Sequence, residues 1–93
     1  MHRLIVVSDG TGGTAERALK AALTQFHDAE IDIQIHSSIR THAQVEEIVQ
    51  EAADTDALIV HTLVSNDIRE FMLQTGRIYN VDTIDLMGPL LSR

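Results

Sequence analysis

Ninety-three residues make one domain, and a chain this short buries only about 60–65% of its unfolded surface. With no cysteine, disulfides, thiol catalysis and thiolate zinc sites are excluded, and the composition suits the reducing cytoplasm. Seven basic against fourteen acidic side chains give a formal charge of −7, which repels phosphate backbones and anionic lipid and so argues against nucleic-acid or membrane partners.

Four short apolar runs alternate with three stretches of helical period. Leu4-Ile5-Val6-Val7 is continuous and rich in β-branched residues, the pattern of a strand covered on both faces. Residues 14–27 space Ala15, Ala18, Leu19, Ala22, Leu23 and Phe26 by threes and fours, a helical stripe. Ile31 to Ile35 alternates strictly and predicts a second strand near a sheet edge. Thr41 and Gln44 have capping-box spacing, ahead of a stripe of Val45, Ile48, Val49, Ala52 and Ala53. Ala57 to Val60 reads as a central strand. Ser65 is positioned to cap a third helix carrying Ile68, Phe71, Met72, Ile78 and Tyr79, with Gly76 a weak spot or an early end. Val81 to Leu86 predicts a fourth, less regular strand.

The order βαβαβαβ with short connections predicts an α/β fold: a parallel three-layer sheet of about four strands with three helices, in the flavodoxin-like or Rossmann-like order 2-1-3-4. The tail from Leu86 to Leu91 is apolar and holds the only proline, Pro89. It leaves a sheet edge open where a further helix is due. A surface of this kind points to self-association, a partner, or continuation of the chain into another domain.

Ser8-Asp9-Gly10-Thr11-Gly12-Gly13-Thr14 joins the first strand to the first helix. Three glycines in four positions allow close backbone approach to a ligand. The helix N-terminus supplies unpaired N–H groups and a positive dipole end, and Ser8, Thr11 and Thr14 add hydroxyls. Such a loop at the carboxyl edge of the strands is suited to cradling a phosphate. It is neither common nucleotide loop: the dinucleotide fingerprint would have alanine in place of its last glycine, and Lys20, the one lysine, lies inside a helix and cannot complete a P-loop. Its G-T-G-x-T skeleton matches the flavodoxin phosphate loop, but the aromatic residues a flavin needs beside its ring fall on helices. A glycine-rich turn serving only helix–strand packing is the plainer reading of the same residues. Asp9 admits an Asx turn capping the loop's own N–H groups, the preferred reading, or an oxygen ligand for Mg²⁺.

Arg40, Thr62 and Ser65 fall at the same edge and complete the candidate anion-binding set. His36, His42 and His61 also project there; surface histidines are the preferred reading over a zinc site. Arg69 suggests a solvated ion pair of small energetic weight. No nucleophile constellation assembles, and neither a catalytic nor a metal-ligating residue is assigned.

The run Ser8 to Glu16, with Ala21 to Phe26 behind it, resembles the amino-terminal signature of the pyruvate, phosphate dikinase and phosphoenolpyruvate synthase regulatory proteins. Arg40-Thr41, Gln44 to Val49, Thr62-Leu63-Val64, Ile68-Arg69-Glu70 and Ile84 to Leu91 continue the likeness in order. The resemblance implies the amino-terminal part of a bifunctional regulator. Such a protein phosphorylates a threonine of its target enzyme using ADP and removes that phosphate by phosphorolysis to pyrophosphate. ADP or ATP and phosphate are thereby implied for the full-length protein and no cofactor for this stretch, because the family's P-loop lies in a later domain and has no match here. Isolated, the chain is then expected to bind substrate or partner, or to dimerise, rather than to catalyse. Gly13 stands where the family usually has glutamate, and His61 where an aromatic residue is expected. The alternative is a stand-alone flavodoxin-like module that binds an anionic ligand through residues 8–14.

Overall fold

In the computed structural model, which describes residues 2–10, 13–24 and 31–88, the expected order of elements is realised. Strand β1 (His2–Ser8) leads to helix α1 (Gly13–Leu23), β2 (Ile31–His36), α2 (His42–Thr55), β3 (Leu58–Thr62), α3 (Asn66–Ile78) and β4 (Thr83–Asp85). All strand pairings are parallel, and the sheet order is β2-β1-β3-β4. The fold is α/β, with the sheet order and helix number expected from the sequence.

Register decides which side chains share a layer. Ile5 pairs with Ile59 and Val7 with His61, so these four point to one face. There Ile5, Val7 and Ile59 pack with Val45, Val49 and Ala52 of α2 and Ile68 and Met72 of α3, forming the main core. Leu4, Val6 and Val60 point to the opposite face, where Leu19 of α1 and Leu58 pack against them. Ala18 and Ala22 of the predicted α1 stripe are exposed, and Phe26 lies outside the described residues. The edge position of β2 is as its alternation predicts, yet Ile33 and Ile35 remain about two-fifths exposed (39% and 42%) because, among the described residues, this side carries a single helix.

Helix α2 begins as its sequence requires. The Gln44 N–H donates to Thr41 Oγ1 (3.1 Å), and Gln44 Oε1 accepts the N–H groups of Thr41 (3.1 Å) and Arg40 (2.8 Å), a closed capping box. It ends at Asp56, whose left-handed φ of 55° lets the chain reverse into β3. Helix α3 differs from expectation in three places. Ser65 occupies the N-cap position but accepts no capping hydrogen bond; Asp67 in the first turn supplies negative charge to that end instead. Ile78 is 78% exposed, since the buried stripe runs Ile68, Met72, Thr75, Gly76 and leaves it off-axis. Gly76 does not end the helix, which runs on to Ile78. It is buried where β4 crosses: a Cβ there would lie 2.9 Å from Thr83 Cγ2 and 3.2 Å from the Val81 carbonyl oxygen. The Val81 N–H closes the turn onto the Gly76 carbonyl at 2.7 Å, and β4 is consequently shorter than the predicted Val81–Leu86.

Two glycine substitutions should therefore move stability in opposite directions. Gly76→Ala gains helix propensity but overpacks the crossing, and denaturant unfolding should show a loss of about 1–3 kcal/mol. Gly13→Ala, where nothing lies within 4 Å of the added Cβ, should gain about 0.4–1 kcal/mol by restricting the unfolded chain.

Candidate functional site at the carboxyl edge

Three βα loops meet where the strands end. Ser8, the last residue of β1, is fully buried and pairs in register with Thr62, the last residue of β3. Its hydroxyl accepts the Gly10 N–H (3.1 Å), and its carbonyl accepts the Ile39 N–H (3.0 Å) from the loop after β2. Gly10 turns through a φ of +88°, a conformation that glycine adopts without cost.

Asp9 makes a contact outside its own loop. Its carboxylate, 5% exposed, reaches across to the loop after β3, where Oδ2 accepts the Val64 N–H at 2.8 Å. Parallel pairing of β1 with β3 brings Val64 within its reach. The loop after β2 closes the third side. Arg40 Nε donates to the Asp9 carbonyl (3.4 Å), and its Nη2 lies 3.6 Å from where a Gly10 Cβ would stand, so the guanidinium overhangs the glycine. Ser38 approaches the same point at 3.8 Å and holds a left-handed φ of 59°. Such strain in a non-glycine residue gathers at functional sites. Sequence reading missed Ser38; its only signal was its place between a predicted strand end and Arg40.

Of the predicted set, Ser8, Asp9, Gly10, Arg40 and Thr62 come together here, and Gly13 opens α1 beside them. Thr62 Oγ1 is buried with no hydrogen-bond partner, on the same sheet face as Ser8. Ser65 is exposed at the start of α3 and makes no cap bond. Thr11 and Gly12 lie outside the described residues, as do Pro89, Leu90 and Leu91 of the tail. Thr14 is described only as part of α1.

The three histidines diverge. His42 Nε2 donates to both Asp67 oxygens (3.1 and 3.0 Å), its ring stacked on Phe71 at 4.0 Å. His36 lies 4.0 Å from Glu51. His61, expected at the surface, is wholly buried because its position in β3 faces the main core. Neither ring nitrogen finds a hydrogen-bond partner; Nδ1 is 4.0 Å from Asp85 Oδ1. Arg69, expected in a solvated pair, is instead largely buried with Asp85 (Nε to Oδ2 3.2 Å; 14% and 16% exposed), since α3 lays it over the end of β4. Asp85 also accepts the N–H groups of Met87 (3.1 Å) and Gly88 (2.7 Å), fixing the turn that follows the sheet.

A family model described as kinase/pyrophosphorylase matches residues 4–93. The chain belongs to that family. It is 42% identical over 95% of its length to a protein of Sorangium cellulosum named pyruvate, phosphate dikinase regulatory protein, of which it covers 31%. Proteins of the same name from Shouchella clausii (40% identity, 99% of this chain, 35% of theirs) and Geotalea daltonii (36%, 100% and 35%) are similar along the same stretch. The chain thus spans about a third of the length of these curated relatives. Among the described residues, no helix of this family member is long and apolar enough to cross a membrane.

Burial holds the His61 pKa below its ordinary 6.5; the Asp85 carboxylate opposes that shift and Arg69 adds to it. The folded state therefore resists a proton that the unfolded chain accepts below about pH 6.5. Stability contributed by neutral His61 is complete above that pH and falls as pH drops toward the lowered folded value. Urea titrations across this window should show that decline, and His61→Phe should flatten it relative to the parent chain.

Proposed function

We propose that this chain is the amino-terminal domain of a regulatory serine/threonine kinase and phosphate-dependent pyrophosphorylase. Its target would be pyruvate, phosphate dikinase or phosphoenolpyruvate synthase in the cytoplasm, and its own part is to bind a phosphate-type anion, and with it the target, at the carboxyl edge. Family membership and the names of the relatives support the regulatory role. Coverage of a third of those relatives supports a domain acting within a longer protein. Within these 93 residues the single lysine sits in α1, so the chain offers no P-loop, and nucleotide would be held elsewhere in that protein.

The observation that carries the anion reading is Thr62 Oγ1. A buried hydroxyl without a partner costs about 1–3 kcal/mol, and this one lies beside Ser8 at the base of the glycine loop, with Arg40 above and the α1 N-terminus alongside. An oxyanion would accept from the hydroxyl, the guanidinium and the first N–H groups of α1 together. Half-exposed Ile84 and Leu86, at the start of the tail, supply apolar surface for self-association or for another domain of the same protein. A stand-alone anion-binding module is the second reading, because the loop cluster is assembled from this chain alone; a reading frame that stops after Arg93 would favour it.

Titrating the ¹⁵N-labelled chain with inorganic phosphate should shift the Gly10 and Gly13 amide resonances at millimolar concentration. Thr62→Val and Arg40→Ala should each weaken that binding by about tenfold. Unmoved Gly10 and Gly13 resonances would leave the loop a packing turn only.

A further inference from the structure

We propose that the outer edge of β2 is the contact surface for a second copy of this chain, the two strands pairing antiparallel about a two-fold axis at Gln34. This stands apart from the anion-binding reading and concerns the sheet edge opposite β4.

Strand β2 closes the sheet order on one side, and its six residues, Ile31 to His36, pair one-to-one with β1 without a bulge. Among the described residues no strand lies beyond it, so the backbone N–H and C=O groups on its outer side are left for another chain. Proteins protect such edges by shortness, lysine, proline or a bulge. At the other edge β4 has only three residues, whereas β2 has none of these four protections.

Its side chains add a second observation. Ile33 and Ile35 share the register positions of Leu4 and Val6 on the α1 face, yet are 39% and 42% exposed. Asp32, Gln34 and His36 alternate with them, in register with Arg3, Ile5 and Val7. A two-fold contact requires that the strand complement its own reversed copy. Centred on Gln34, reversal sets Ile33 opposite Ile35 of the second copy and Asp32 opposite His36 of the second copy, each pairing occurring twice. The isoleucines of both copies then form one apolar cluster, where each copy alone leaves them partly in water. The imidazole donates an N–H to the facing carboxylate whether it is neutral or protonated. Asp32 holds Arg3 of its own copy at 3.0 Å, and a carboxylate accepts from several donors at once. An axis at Ile33 would set Asp32 against Gln34, and one at Ile35 would set His36 against Gln34. The charge match therefore selects Gln34. This axis stands normal to the sheet, so α1 faces stay on one side and a single sheet runs through both copies.

One strand edge with its isoleucines makes a small contact, so the dimer should be weak and reversible. Sedimentation equilibrium from about 10 μM to 1 mM should show it forming. Ile33→Lys and Ile35→Lys, each checked for fold by circular dichroism, should raise the dimer Kd at least about tenfold. Ile84→Lys, at the other edge, should leave it within about twofold. Single cysteines read the register, since the chain has none of its own. Gln34→Cys should crosslink to itself on mild oxidation, because directly opposed Cβ atoms lie about 5 Å apart. Asp32→Cys should not, its two copies being separated by about 14 Å along the strands. A chain that stays monomeric at about 1 mM overturns the proposal. So does a dimer lost in Ile84→Lys but kept in Ile35→Lys, or one that crosslinks through Asp32→Cys in preference to Gln34→Cys. If the lysine variants unfold, the two cysteine variants decide alone.

Discussion

The carboxyl edge depends on one hydrogen bond, from the Val64 N–H to the buried carboxylate of Asp9. A carboxylate withdrawn from water needs donors, and here a backbone N–H some fifty residues onward provides one. That bond joins the exits of the two central strands, β1 and β3. The loop after β2 attaches to the same short stretch through Ile39 on the Ser8 carbonyl and Arg40 on the Asp9 carbonyl. Three loops are thereby held in register by residues 8 to 10 before any ligand arrives. Preorganisation of this kind lowers the ordering cost of binding.

The same device recurs at the end of β4. Asp85 receives Arg69 from α3 on one oxygen and two turn N–H groups on the other, so a second carboxylate ties a helix to the chain leaving the sheet. The Leu86 N–H adds a bond to the His61 carbonyl. Beside Asp85 sits His61, wholly buried with both nitrogens unpartnered. A packed sheet thus carries, toward the ends of its strands, a cluster of polar groups whose desolvation is incompletely offset. An apolar residue at 61 would relieve that cost.

Signals that act between near neighbours were legible in the sequence. Strand runs, the α2 stripe and the Thr41–Gln44 box act over a few residues, and the short crossovers sufficed for the order 2-1-3-4. The glycine loop and its place at the carboxyl edge followed from the same reasoning. What escaped were contacts made by distant residues. The Asp9–Val64 contact has no local signal; nor has the burial of Gly76, because the approach of Thr83 is set only by the crossing of β4. His61 and Arg69 were assigned to solvent by residue type, whereas their burial follows from register and from α3 lying over β4. Ser38 carries no compositional mark at all; its strained φ is visible only once the loop is built.

A chain of net charge −7 is an unexpected host for the proposed anion, and the distribution of carboxylates bears on that conflict. At the amino end of the sheet, Asp56 and Asp82 are exposed to solvent, and α2 ends there with exposed Asp54. At the carboxyl edge Asp9 is matched by a backbone N–H, Asp67 by His42 and Asp85 by Arg69. The described part of the sheet spans about 20 Å at most along a strand, and exposed charges are screened over about 8 Å at physiological salt. The amino-end charge therefore contributes little at the loop, where Arg40 and the opening turn of α1 set the local field. Net acidity governs which large polyanions the whole chain avoids; the sign at one edge governs which small anion it can hold.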